Sequence, residues 1–337
     1  MSNCSIIIPH YNGEDILYRC LLSLYNHTHE SHEIIIVDNG SSDNSISMVK
    51  KDFPKTKIIL NKVNLGYAGA CNIGASQSKN DYLIFLNNDT EVTKSWIEPL
   101  VNKLQNDKVA SVQPKIKNLI NQEYFDYAGA SGGYIDIFGY PFCRGRVFNT
   151  IEKDELQHES ETNIFWASGT AFATKKEIFI KSGMFDLKLF AHMEEIDYHW
   201  RTQMMGYQIM VSPKSVIYHE GAKTLSYQSS KKTYLNHRNN LIIFFSNHKL
   251  FLLSVLFIPR ILLHLTSTII DLISLKFNHS FAQVRALFWI ILNPIYIIKK
   301  RKKNKKLQVK EYQLKGMIKK SIVFNYFILQ KRFFTDY

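Results

Sequence analysis

The run Tyr82-Leu83-Ile84-Phe85-Leu86-Asn87-Asn88-Asp89 decides how this chain is to be read. Five apolar or aromatic residues predict a buried strand, and it stops at two amides and a lone carboxylate. Such a strand delivers Asp89 to the carboxyl edge of a sheet, which is where open α/β folds bind their ligands.

Working outward, short β-branched or apolar runs at 4–8, 33–37 and 57–60 read as three further strands. Between them, 15–25, 44–52 and 67–76 carry helical spacing, and Ser41-Ser42-Asp43 offers N-caps before the second helix. This βαβαβαβ order predicts a mostly parallel central sheet with right-handed crossovers, flanked by helices. Downstream, 109–116 and 164–174 read as strands, 178–182 as a short helix and 194–205 as a longer one, with 208–211 and 216–218 as closing strands. Residues 118–162 are rich in glycine and aromatics without a clear period. The tetrapeptide Tyr-Ala-Gly-Ala occurs at Tyr67 and Tyr127 without flanking similarity, so it is not a repeat.

The 337 residues suit one large domain or a domain with an appendage, and 45% hydrophobic content is ample for a core. Cys4, Cys20, Cys71 and Cys143 show no paired spacing and read as reduced thiols of a cytosolic protein. The first residues form a strand rather than a basic and then apolar leader, which argues against a cleaved signal peptide. Net charge is +13, yet 13 Lys or Arg against only Glu311 and Asp336 fall in 299–337, leaving the first 298 residues near neutral. A nucleic-acid-binding domain would spread its charge over a folded face. Charge placed in a tail after an apolar stretch suits an anionic membrane surface, or else a solvated solubility tail.

That stretch, 250–275, carries Arg260, His264, Ser267 and Asp271 on one helical face. A spanning helix of about 20 apolar residues would not hold Pro259, Arg260 and Asp271 in its middle. A second apolar run, 286–298, is too short to span and ends in Lys299-Lys300-Arg301-Lys302-Lys303. The pattern predicts amphipathic helices lying in the bilayer interface, anchored by the basic cluster, with a pair of core-packing helices as the alternative. The expected organisation is a catalytic domain at 1–240, an interfacial helical region at 241–298 and a basic tail at 299–337.

Three loops should share the rim with Asp89: Pro9-His10-Tyr11-Asn12-Gly13, Val37-Asp38-Asn39-Gly40-Ser41-Ser42-Asp43, and Asn64-Leu65-Gly66-Tyr67-Ala68-Gly69-Ala70-Cys71-Asn72. Small residues and helix-start amides can approach phosphate oxygens, and Asp38 can accept from a base or ribose. Neither G-x-G-x-x-G after strand one nor G-x-x-x-x-G-K-[ST] occurs, which lowers dehydrogenase and NTPase readings. Further on stand Glu194-Glu195-Ile196-Asp197 and Val216-Ile217-Tyr218-His219. A carboxylate with an imidazole suits a divalent cation, and a separate carboxylate pair suits a general base. Together they point to an enzyme moving a group off a phosphorylated donor.

Taken in order, Ile-Pro-His-Tyr-Asn, 37–43, 64–72, 86–89, Ala167-Ser168-Gly169, 194–201 and His219 resemble the inverting glycosyltransferases of family 2, most of all the rhamnosyltransferase-type members. The likeness covers about residues 3–240 and implies the GT-A fold. It implies that Asp89 stands at the last acid of a D-x-D-like motif, holding Mg²⁺ or Mn²⁺ against the donor diphosphate, with His219 completing the site. Asn87 replaces a first carboxylate there, so the site is less acidic. It implies Glu195 as catalytic base, where relatives commonly have Asp, with Glu194 as fallback. Pro9, Tyr11, Asn12, Asp38, Asn39, Asn64, Gly66, Gly69, Asn72 and Asn88 are the expected donor-binding residues. Trp166, Ser168, Gly169 and Asp197 are expected at the sugar or acceptor cleft, and 126–146 is expected as a mobile lid or acceptor loop.

The implied partners are a dTDP- or UDP-sugar, foremost dTDP-rhamnose, and a lipid-linked or glycan acceptor in cell-surface polysaccharide synthesis. The implied location is peripheral, at the inner face of the cell membrane, with no nucleic acid involved. Two other readings stay open: a sugar-phosphate nucleotidyltransferase, and a non-catalytic membrane-associated carbohydrate-binding protein.

Overall fold

In the computed structural model of the chain, which describes residues 2–221 and 229–337, four parallel strands build the first half of a central sheet. These are β1 (Cys4–His10), β2 (Glu33–Asp38), β3 (Lys57–Leu60) and β4 (Tyr82–Leu86), connected by α1 (Glu14–His27), α2 (Ser45–Asp52) and α3 (Gly66–Gln77). Their spatial order is β3-β2-β1-β4, with His10 opposite Asp38 and Asp38 opposite Leu60, so their carboxyl ends form one rim. Each strand is apolar on both faces because helices cover both. Ile6, Ile8, Ile36, Ile84 and Leu86 pack with Leu17, Leu21 and Val49 on one side. On the other, Ile7, Val37, Leu83 and Phe85 pack with Ala68, Cys71 and Ala75.

The second half is mixed. After β5 (Thr90–Val92) and α4 (Glu98–Leu104) comes β6 (Val109–Asn118). The expected strand at 164–174 is two strands, β11 (Thr162–Ile164) and β12 (Ala171–Lys175). β11 lies at the sheet edge, while β12 inserts antiparallel between β4 and β6, so the chain must leave the sheet between them. Conversely, the two expected closing strands form one bulged strand, β13 (Gln208–His219), parallel to β6. Its last residue, His219, pairs with Thr90 of β5, the neighbour of Asp89. α5 (Lys176–Lys181) and α6 (Glu194–Met204) precede it.

The aperiodic segment builds a second sheet from β7 (Gly133–Asp136), β8 (Pro141–Cys143), β9 (Arg146–Val147) and β10 (Thr150–Ile151). The lid expected at 126–146 is thus part of this packed sheet. Phe142 and Cys143 are fully buried, and a Cβ on Gly133 would meet the Trp166 ring at 2.2 Å. Strands this short carry too few residues to show an alternation.

Four helices follow: α7 (Ser230–Asn247), α8 (Leu250–Ile273), α9 (Phe277–Leu292) and α10 (Pro294–Leu307). β14 (Met317–Ile318) then joins the small sheet beside β7, and α11 (Ile322–Phe327) packs Ile322 and Tyr326 against Phe142 and Val147. Residues 299–337 are therefore folded onto the body rather than left as a tail. Buried apolar side chains and a strand pairing hold them there.

The α8–α9 pair is polar inside and apolar outside. Arg260, His264 and Thr268 face inward, where Arg260 donates to Tyr140 Oη at 2.8 Å and Gln283 Nε2 donates to Asp271 at 2.6 Å. Outward stand Phe251, Ile258, Leu262, Ile273, Phe281 and Leu292, with Phe251 78% and Leu292 75% exposed. Among the described residues, α8 is the one unbroken helix long and apolar enough to cross a membrane.

Candidate active site

Asp89 sits just past β4, 7% exposed, and its Oδ1 faces His219 Nε2 at 3.1 Å with no hydrogen bond aligned onto it. The other ring nitrogen, Nδ1, lies 2.9 Å from Asp126 Oδ1. Burial opposes charge on the ring, but Asp89 and Asp126 outweigh it and raise the His219 pKa to about 10. A divalent cation would take that proton's place. Asp126 fixes the tautomer that turns the Nε2 lone pair toward Asp89, so one carboxylate oxygen and one imidazole nitrogen are presented together. This donor set fits a hard or borderline cation that takes its remaining ligands from a diphosphate and water. Among the described residues no cluster of three or more potential ligands exists.

Asn88, 8% exposed, meets His10 Nδ1 at 2.9 Å, while His10 Nε2 has no partner. Burial holds the His10 pKa below its usual value against the pull of Asp38 and Asp43. On the next helix, Lys232 feels Asp89, although burial lowers its pKa more strongly.

The turn 168–170 links this corner to the acid pair. Asn87 N–H donates to Thr170 O at 2.9 Å, and Tyr67 Oη donates to Gly169 O at 2.6 Å. A Cβ on Gly169 would lie 3.7 Å from Glu195 Cδ. Asp89 and Glu195 thus flank one short turn on the same rim. Glu195 is half-buried, whereas Glu194 is 3% exposed. Burial pushes Glu195 up to about 7, with backbone amides at the start of α6 and at Gly169 holding it from going higher. Glu194 is raised well above its ordinary range by burial and by Glu195. The two carboxyls therefore titrate as one coupled pair that burial and mutual repulsion keep partly protonated.

The chain entering α6 is strained. Phe190, His192 and Met193 have φ of 64°, 67° and 71°, which L side chains adopt rarely. Asn239 of α7 over-determines this loop by donating to the carbonyls of Leu189, Ala191 and His192. Phe190 O accepts from Ala68 N–H at 3.0 Å, and its oxygen would lie 2.4 Å from a Cβ on Gly66. Gly66, at φ 72°, is required there.

Several expected site residues turn elsewhere. Trp166, 4% exposed, lies over Gly133 and donates to Tyr134 O at 2.8 Å, so it is core beneath the small sheet and not a sugar platform. Ser168 is buried and ties its turn to Ala128 O and Gln113. Asp197, fully buried, binds Arg201 at 3.0 Å, Lys300 at 2.9 Å and Asn247 at 3.0 Å, away from any cleft. Asp38 accepts from Gly40 N–H and from Ser41 N–H and Oγ, bracing its own loop rather than facing a base. Asn39 braces Gly66 O and Asn61, Asn12 braces Ser41 and Ser42, and Asn72 clamps both backbone groups of Phe185. Gly69 packs against Leu65. Pro9 is half-buried within β1, and Asn64 caps Gly66 N–H at 2.8 Å. Tyr11 remains open on the rim, 44% exposed.

Asp126, His10, Tyr67 and Lys232 are further residues of this corner that the expected site does not include. His10 and Tyr67 lie in loops already singled out for the rim, whereas nothing in the sequence pairs Asp126 or Lys232 with it.

A family model described as Glycosyl transferase family 2 matches residues 5–183. An uncharacterized glycosyltransferase of Haemophilus influenzae is 32% identical over 130 residues, 36% of this chain and 40% of that protein. The N-acetylglucosaminyl-diphospho-decaprenol L-rhamnosyltransferase of Mycobacterium tuberculosis is 22% identical over 259 residues, 72% of this chain and 84% of that protein. The crystal structure of GalNAc-T7 with UDP, GalNAc and Mn²⁺ superposes with a TM-score of 0.57 at 21% identity, covering 72% of this chain and 47% of that one. The chain thus spans less than half the length of the Haemophilus relative and of GalNAc-T7.

Proposed function

The chain belongs to glycosyl transferase family 2 and has the GT-A fold, and from that premise we propose that it moves a sugar, with inversion, from a nucleoside-diphosphate donor to an acceptor hydroxyl. The observation that carries this reading is the set of buried polar atoms left without hydrogen-bond partners among the described residues around one turn: Asp89 Oδ1, Glu194 Oε2, Glu195 Oε2 and His10 Nε2. Atoms so placed cost stability unless a ligand or solvent meets them.

Glu195 removes the acceptor hydroxyl proton, the oxygen forms a bond to the anomeric carbon, and the bond from that carbon to the diphosphate oxygen breaks on the opposite face. The mostly buried carboxylate, its pKa raised to about 7, is matched to that task near neutral pH. Glu194, kept protonated, holds the local charge to one. Asp89 and His219 are the residues that would hold Mg²⁺ or Mn²⁺, which when bound supplies charge compensation for the departing diphosphate. Mn²⁺ in the GalNAc-T7 structure supports divalent metal use.

The acceptor is a lipid-linked glycan met at a membrane surface. Support comes from the outward apolar face of α8 and α9, from the lysine-rich run on α10, and from the acceptor named in the Mycobacterium relative. That name also supports rhamnose as the donor sugar and a role in cell-surface polysaccharide synthesis. On this reading the enzyme works peripherally at the inner face of the cell membrane.

A thermal-shift panel of dTDP-rhamnose, UDP-hexoses and GDP-mannose, each with Mn²⁺, Mg²⁺ or chelator, tests the donor class. Metal-dependent stabilisation by a nucleotide sugar is expected. No stabilisation by any of them would overturn the reading.

A further inference from the structure

Between α7 and α9 lies an open cavity of 560 Å³ whose polar lining is basic. The two helices run side by side in the same direction: Thr233 meets His279 at 2.7 Å, and Arg238 lies over the Trp289 ring at 5.4 Å. Lys231, Arg238 and Arg285 line the space, and among the described residues no carboxylate does. Among the described residues none of these three is ion-paired. Lys231 lies 5.5 Å over the Phe190 ring and Arg285 4.9 Å over the Tyr234 ring, while Arg238 donates to Asn239 and to loop carbonyls. Ser230, the first residue of α7, and Asn278, the second of α9, also line it, so two helix N-termini open onto the same space. Among the described residues neither has a side-chain cap, and although the His279 amide turns back to Lys276 O, the positive dipole ends of both helices face the space.

The position of the cavity is as telling as its charge. One wall is Phe190, whose carbonyl holds Ala68 at the donor loop and which precedes Glu194 by four residues. The opposite wall is Phe281, 64% exposed and continuous along α9 with the outward-facing Phe277 and Phe288. An anion seated here lies against the loop that leads into the acid pair on one side and near the apolar face on the other.

We propose that this cavity seats the phosphate or diphosphate head of the lipid-linked acceptor, with the prenyl chain lying along α9 and the sugar directed past Phe190 toward Glu195. This rests on the membrane-acceptor reading above. It commits to a prenyl phosphate because basic groups and an apolar groove meet at one place, a pairing that neither free phosphate nor a neutral lipid uses in full.

The test titrates the full chain by calorimetry with farnesyl phosphate, farnesol and inorganic phosphate, and compares it with a Lys231→Gln/Arg285→Gln double variant. Both side chains are exposed and among the described residues make only ring contacts, so the variant should fold, and Lys231→Arg/Arg285→Lys serves as a charge-preserving control. Farnesyl phosphate should bind the wild type and the control, and lose roughly tenfold per cation removed in the double variant. Undiminished binding by the double variant would overturn the proposal, as would inorganic phosphate binding as tightly as farnesyl phosphate. In a separate arm the wild type and the double variant are sedimented with phosphatidylcholine vesicles, with and without phosphatidylglycerol. Failure of the wild type to pellet counts against the membrane reading alone, because the soluble probe still reports on the cavity. If the double variant loses phosphatidylglycerol vesicles as completely as farnesyl phosphate, the occupant is bulk anionic lipid and the proposal falls.

Discussion

The Nζ of Lys300 lies 2.9 Å from Oδ2 of Asp197, two residues beyond Glu195, with Asp186 Oδ2 on its other side at 2.7 Å. A lysine from the basic run of α10 thus links Asp186 to Asp197, which in turn pairs with Arg201 in one buried charge network. It ties the C-terminal helices to the helix that carries the acid pair. Replacing Lys300 by Met leaves two carboxylates short of a partner, and a loss of about 3–5 kcal/mol is expected. Urea denaturation of the two proteins measures it, and a change under about 0.5 kcal/mol would show the pair to be dispensable.

The same network sets an acid limit on stability. Burial pushes the Asp197 carboxyl up, but Lys300 and Arg201 overcome this and hold its pKa at about 2, below its ordinary 3.8. The folded state therefore binds that proton less tightly than the unfolded chain. The stabilisation is complete above about pH 4 and is lost as pH falls toward 2, by about 2.5 kcal/mol for a shift near two units. In Asp197→Asn this part of the acid slope should vanish, and an unchanged slope in pH-dependent denaturation would refute the assignment.

Glu195→Gln should lower turnover by roughly 10²–10⁴-fold while donor affinity stays near wild type. Because the Glu195 pKa is about 7, wild-type kcat/KM should rise with pH through that value as the base ionises. The stability sign is opposite. The folded state holds this proton more tightly than the unfolded chain, so stability falls as pH rises from about 4.5 to about 7. A variant that keeps both its rate and its acid limb would move the base to another residue.

Asp126→Asn should weaken Mn²⁺ or Mg²⁺ activation about 10–100-fold, through the orientation of His219 and not through a lost ligand. Metal titrations of donor binding read this directly. A variant with unaltered metal dependence would leave Asp126 a purely structural partner.

Trp166→Ala should cost about 3–5 kcal/mol of stability through the cavity it opens beneath Gly133. Donor and acceptor KM should hold wherever the variant remains folded. A raised acceptor KM in a protein of undiminished stability would return Trp166 to the cleft.

Much of the fold could be read before any coordinates, since strand and helix periods report burial locally. The 82–86 run is apolar on both faces because helices cover both, and that same run places Asp89 on the rim. The acid pair was legible for the same reason: Glu194 and Glu195 stand at the start of a helix whose pattern is plain. The small sheet was not legible, because strands of two to four residues leave no period to detect.

What the chain's own pattern decided is therefore the alternation of elements, the rim at the strand ends and the clustering of acids at the start of α6. The tertiary structure alone decided which side chains meet across long separations. Asp126 reaches His219 from 93 residues away, Lys300 reaches Asp197 from 103, and Trp166 turns into the core and away from the cleft. Periodicity encodes how deeply a residue is buried, but not which partner awaits it there. That choice belongs to the order in which the strands are laid side by side.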